Sequence, residues 1–138
     1  MKTTSYIFLR LAAGASMFGH GLVRLPKLQS FSTWMAGTFQ QSLLPEFLVR
    51  PFGYCLPFLE FVVGILLLSG LYTRAALWAG SLAMILLIFG TCMIENWEAL
   101  PSQLIHQALF ALLLQYEKSN GWALDRLLSK SSHRLSDL

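Results

Sequence analysis

Four apolar stretches dominate this sequence, at residues 5–23, 52–71, 75–94 and 101–117. Each is close to the ~20 helical residues that cross a ~30 Å hydrocarbon core. Their apolar residues fall on all sides of a helix, so they do not read as amphipathic surface helices. The alternating strands of about ten residues that build a membrane β-barrel are absent. Composition closes off a soluble fold. Charged residues make up 12% of the chain, against about 25% in an ordinary soluble domain. A small soluble protein exposes more surface per residue than a large one and needs more charge, not less. The expectation is therefore all-α: one integral-membrane domain over 1–138 built as a four-helix bundle, with 118–138 as an amphipathic cytoplasmic tail.

The connections are simple. Leu71-Tyr72-Thr73-Arg74 reads as a tight turn, and Glu95 to Leu100 as another short one. The first link is longer, from Arg24 to Pro51, and within it Phe31, Trp34, Met35, Thr38 and Phe39 recur at helical spacing. That pattern predicts an amphipathic helix on the membrane surface or capping the bundle. After the last span, Trp122, Leu124, Leu127 and Leu128 interleave with Asp125, Arg126 and Lys130 in the same manner. Trp34, Trp78, Trp97 and Trp122 suit interfacial anchors.

Orientation follows from the basic residues. Lys2, Arg10, Arg74, Lys118, Arg126, Lys130 and Arg134 share the side of both termini, against Arg24, Lys27 and Arg50 on the other. That asymmetry puts both termini in the cytoplasm. Lys2, the following apolar stretch and Ala13-Gly14-Ala15 imitate a cleavable signal peptide, but Arg10 interrupts the apolar region and argues against cleavage. The net charge of +3 is spread along the chain, with no run dense enough to track nucleic acid.

A charged side chain at the bilayer centre costs about 2.5–3.5 kcal/mol on insertion scales, so each one needs a reason. Arg10, Ala13, Met17, His20 and Arg24 follow a 3-4-3-4 spacing that puts them on one stripe of the first helix. Gly14, Ala15, Gly19 and Gly21 nearby allow close helix approach. Gly53, Pro57, Glu60 and Gly64 share a face of the second span in the same way. Glu60 lies roughly 12 Å from the outer end of its helix. It must be protonated, paired with a cation or facing a polar cavity. His20, Arg24, Glu95, His106 and Gln107 belong to the same half, and they predict a polar pocket drawn from all four helices. Against that stands a structural role, with Glu60 paired to pin the register, Arg10 snorkelling, Arg74 a plain anchor, and His106 an interhelical hydrogen-bond partner.

Cys55 and Cys92 show neither Cys-x-x-Cys nor metal-ligand spacing. Adjacent antiparallel spans would set them at similar depth, within disulfide reach. They read either as a redox pair or as two unpaired thiols in an apolar setting. The chain carries no haem, iron–sulfur, flavin or metal motif.

Arg10-Leu11-Ala12-Ala13-Gly14 and His20-Gly21-Leu22-Val23-Arg24 resemble the start of the DoxX/DoxD-like membrane proteins. Glu60-Phe61-Val62-Val63-Gly64-Ile65-Leu66-Leu67-Leu68-Ser69-Gly70-Leu71-Tyr72-Thr73-Arg74 is the stronger match, and Gly121-Trp122-Ala123-Leu124-Asp125-Arg126 resembles the segment after that family's last helix. The resemblance implies a four-helix bundle of the bacterial inner membrane, with some relatives serving as subunits of a thiosulfate:quinone oxidoreductase. By position, Arg10, His20, Arg24, Glu60 and Arg74 match its polar motif. The long outer loop and the fourth helix, with Gln103 and His106-Gln107, depart from it and leave the substrate open.

Two functions compete. In a quinone-linked oxidoreductase subunit, His20, Arg24, Glu60 and His106 would bind the ring, with His20 and Glu60 handling protons and Arg24 stabilising negative charge. Electrons would come from a partner subunit, or from Cys55 and Cys92. In a non-catalytic scaffold, the same residues would be structural and the surface helices would dock an enzyme. A proton or small-solute carrier is the third reading, weakened by the lack of an inverted repeat. Homo-oligomerisation is left open.

Overall fold

Each apolar stretch becomes one continuous helix in the computed structural model, which describes residues 1–121 and 123–125. The helices are α1 (Thr3–Arg24), α2 (Leu28–Thr38), α3 (Glu46–Ser69), α4 (Thr73–Met93) and α5 (Leu100–Gln115). Short 3-10 turns at Leu25–Lys27 and Glu117–Ser119 follow α1 and α5, and no strand occurs among the described residues. Three helical stretches are long and apolar enough to cross a membrane: Thr3–Thr38, α3 and α4. At 16 residues, α5 is about 24 Å long.

The long helices pack in sequence around a shared core. α1 lies on α3, α3 on α4, α4 on α5, and α5 returns to α1. Tyr6, Met17, Leu67, Leu77, Phe110 and Leu113 are fully buried between them. The closest approach is α1 against α3. A Cβ on Gly21 would sit 2.5 Å from the Phe61 backbone nitrogen, and one on Gly64 would run into the backbone of Phe18. Hydrogen at these two positions is what lets the backbones meet. Outward, Phe58, Val62 and Ile65 of α3 and Leu82, Ile85, Leu86 and Phe89 of α4 are exposed. Apolar surface this extensive requires lipid around it, and the protein is a multi-pass membrane protein.

α3 begins at Glu46, six residues before the Phe52 that hydropathy marked. Pro45 supplies an extended N-cap, and Glu46 places negative charge in the first turn, where the helix dipole favours it. Arg50 pairs with Glu46 one turn on. Hydropathy averages over these polar residues and so misses the first turns. Pro51 and Pro57 lie inside this helix, as membrane helices tolerate when neighbours satisfy the freed groups.

α2 occupies the place in the first loop where helical spacing predicted a helix. It packs on α3, where Gly53 brings a built Cβ within 3.0 Å of the Ser32 Cα. The Ser32 hydroxyl donates to the Arg50 carbonyl at 2.9 Å. Met35, Val49, Leu56 and Ala83 form a second small core beneath it. The amphipathic segment expected around Trp122 to Lys130 lies outside the described residues apart from 123–125.

At the end of the molecule that holds the chain's first residues, the α3–α4 turn is closed from a distance. Gly70 caps α3 with φ +69°, a left-handed conformation that glycine adopts freely. Arg10 is 3% exposed, and its Nη1 occupies the space a Gly70 side chain would need. That nitrogen donates to Asn120 Oδ1 at 2.8 Å, and Asn120 Nδ2 donates to Thr73 Oγ1 at 3.2 Å. The Asp125 carboxylate accepts from the Tyr72 and Thr73 amides at 2.6 and 2.9 Å. Those are orphan donors at the start of α4. Arg10 is thus held inside by Asn120, whereas Arg74 is exposed, 3.7 Å from Glu117.

Candidate functional site

The stripe on α1 splits as it rises. Arg10, Ala13 and Met17 are buried, while His20 and Arg24, one and two turns on, line an open space. Arg24 Nη1 donates to both oxygens of Glu60, at 2.5 and 2.7 Å. Glu60 is 2% exposed, so the ion pair answers the requirement that a charge at this depth find a partner. The Arg24 guanidinium also lies 4.8 Å from the centre of the Phe31 ring, within cation–π range. Of the partners the sequence offered Glu60, the structure selects Arg24.

His20 and His106 face each other edge-on, with ring centres 6.3 Å apart. His106 Nδ1 lies 2.8 Å from the Ser102 carbonyl, which can only accept, so Nδ1 carries a proton. Its Nε2 lies 2.7 Å from Ser16 Oγ. In the neutral ring that nitrogen accepts from the hydroxyl, and both ring atoms of His106 are committed. His20 makes no hydrogen bond among the described residues and is exposed on the α1 surface.

These groups surround a cavity of about 280 Å³. His20 and Arg24 of α1, Glu60 of α3 and His106 of α5 line one side of it. Phe31, Trp34 and Met35 of α2, with Phe39 just beyond its end, close another, and Met84, Leu87 and Thr91 of α4 complete the wall. The four residues nominated from sequence as ring-binding are thus brought together. Glu95 is not: it sits exposed in the α4–α5 connection with φ +54°, a correction to its expected place in the pocket. Neither does Gln107 line the cavity. Its Oε1 is buried without a hydrogen-bond partner. Arg10 and Arg74 belong to the opposite end. Cys55 is exposed and Cys92 half-buried, and both are free thiols. No cluster of three or more histidine, cysteine or acidic residues is present among the described residues.

Sequence reasoning singled out Gln103 without placing it in the pocket. Gln103 Nε2 donates to Thr91 Oγ1 at 2.8 Å, while Gln103 Oε1 is buried with no partner. Ser16, the partner of His106, went unnoticed, although a serine in mid-span is itself a signal. α2, expected on the membrane surface or capping the bundle, was not assigned to the wall of the site, which it forms.

A family model described as DoxX matches residues 5–93, from the start of α1 to the end of α4. α5, with Gln103 and His106, lies beyond the match. No curated protein matches the chain, and no solved structure does.

Proposed function

The chain belongs to the DoxX family, and from that membership we propose that it is a membrane subunit working with a quinone-linked oxidoreductase. In this reading α5 is a fourth span that completes a transmembrane bundle in the bacterial inner membrane. Both termini face the cytoplasm and α2 lies at the outer interface. The observation that carries the reading is the convergence of His20, Arg24, Glu60 and His106 from three helices on one largely apolar cavity.

The cavity suits a quinone head group in size and chemistry. At about 280 Å³ it lies just below the ~300–1,000 Å³ typical of ligand pockets, room for one substituted ring. A quinone ring offers two carbonyls that accept hydrogen bonds, and His20 has an uncommitted ring to donate. Bound there, a quinone supplies the acceptor for an electron pair and two protons. The residues of the chain orient the ring and handle protons. His20 donates to a carbonyl at the mouth. His106, held by the Ser16 hydroxyl and the Ser102 carbonyl, orients the α5 side of the site. Glu60 acts through Arg24, which it holds at the cavity wall as a positioning residue. A soluble or membrane partner supplies the electrons, unless Cys55 and Cys92 do.

A scaffold is the second reading. It is favoured by the closed geometry of the Arg24–Glu60 pair, which occupies both carboxylate oxygens and would pin the α1–α3 register.

Extraction of bound small molecules from protein purified in mild detergent, followed by mass spectrometry, separates the two. Quinone recovered from the wild type and lost from Glu60→Gln and His20→Ala supports the site. An extract without quinone from well-folded wild-type protein sinks it and leaves the scaffold.

A further inference from the structure

His20 poses a problem that the ring-binding cavity alone does not resolve. It lies in a span, exposed on the outside of α1, and makes no hydrogen bond among the described residues. An imidazole within a span and without a hydrogen-bond partner is costly. Yet the same side chain lines the cavity. The wall between cavity and surroundings is therefore open at this residue.

The open side continues as a groove. Ala15, Ser16, Gly19, His20, Val23 and Arg24 line a shallow trough along α1, and it shares His20 and Arg24 with the cavity. A Cβ built on Gly19 meets nothing within 4 Å, whereas at Gly14, Gly21 and Gly64 of the α1–α3 contact it meets α3 or α1 at once. Small side chains thus serve close packing on one face of α1 and leave the other face hollow. The hydrogen bond from Ser16 to His106 fixes the hollow face on the α5 side. Gly19 precedes Arg24 by five residues, or roughly 7.5 Å of rise, so the trough runs inward along the last turns of α1.

We infer that the α1–α5 seam is a lateral portal, through which a lipophile with a hydrogen-bonding ring enters from the bilayer and leaves its apolar tail in the α1 trough. The inference rests on the quinone reading of the cavity and adds the route and the resting place of the tail. Continuity carries it: the ring site and the trough meet at His20 and Arg24, so a molecule seated in one has its substituent in the other. Apolar Ala15 and Val23 and the bare backbone at Gly19 suit a flexible hydrocarbon chain. His20 gains the partner it lacks when the ring is seated.

The test uses a decylubiquinone bearing a photoreactive diazirine at the end of its tail, with the full chain in lipid nanodiscs. Cross-links in the wild type are expected on residues 15–23. Gly19→Trp grows into the trough from a position where a Cβ meets nothing within 4 Å, and should cut their yield at least tenfold while leaving helicity and melting unchanged. Ile85→Trp, on the exposed face of α4, should leave the yield as it is. Cross-links on α2 instead of α1, or an undiminished yield in Gly19→Trp, overturn the portal but leave the cavity reading standing. Absence of any cross-link competed by unlabelled decylubiquinone overturns both. A wild type that is dimeric beside a monomeric Gly19→Trp would make the trough an interface between copies and also overturn the portal. The wild-type map decides the matter alone should Gly19→Trp fail to fold.

Discussion

At the scale of single residues, the Arg24–Glu60 pair dominates. Burying two charges gains little against an apolar pair of the same shape, but removing one partner strands the other. Arg24→Leu leaves Glu60 ionised among apolar neighbours and is expected to cost roughly 3–5 kcal/mol. Arg24→Leu/Glu60→Leu should recover most of that loss. Glu60→Gln keeps an acceptor for Arg24 and should fall between. Thermal melts in one detergent give the order directly. An Arg24→Leu variant as stable as wild type would show that Glu60 takes up a proton instead. Glu60 was legible in the sequence because a charge deep in an apolar run has few excuses. Its partner was not, because a 3-4-3-4 stripe puts His20 and Arg24 on the same face and leaves length and reach to decide.

At the scale of helices, the molecule uses glycine in two opposite ways. Gly21 and Gly64 bring α1 and α3 together, backbone on backbone. Gly21→Ala and Gly64→Ala force that contact apart, and overpacking of this kind costs about 1–3 kcal/mol. Gly19→Ala and Gly37→Ala add a methyl to open space and should lose nothing. The same melting assay checks all four, and equal losses at Gly19 and Gly64 would contradict the α1–α3 geometry. The spans themselves were readable because hydropathy over twenty residues is a strong signal. The start of α3 was not, since its first turns carry Glu46 and Arg50 and look like a loop. The cavity wall from α5 was faint for a related reason. Gln103 is uncharged, as is Ser16, which meets His106 from α1, and a neutral polar residue in an apolar run barely disturbs the pattern. The α2 wall depends on how a loop helix docks, which Ser32 and Gly53 determine jointly across the α2–α3 contact.

At the scale of the whole molecule, charge sets the expected orientation. Lys2, Arg74 and Lys118 are exposed at one end, while Arg24 at the other is drawn into its pair with Glu60. A fluorescent protein fused at the C-terminus should therefore light up in the cytoplasm. A cysteine placed at Gln41 should be labelled by an impermeant thiol reagent from outside intact cells stripped of their outer membrane. Labelling only after lysis would reverse the assignment. Three stretches long and apolar enough to span were legible in hydropathy, and the fourth span and the orientation are expectations from hydropathy and loop charge. The tie between Asn120, Asp125 and the α3–α4 turn was invisible there, because it joins residues some fifty positions apart. That tie governs the order in which the protein is finished. The first turn of α4 leaves the ribosome with its amide donors unsatisfied, and they stay so until α5 has been threaded into place and Asp125 has been made. The cap of α4 is therefore supplied by one of the last described residues to be synthesised, and a chain cut before Asp125 lacks both acceptors for the Tyr72 and Thr73 amides.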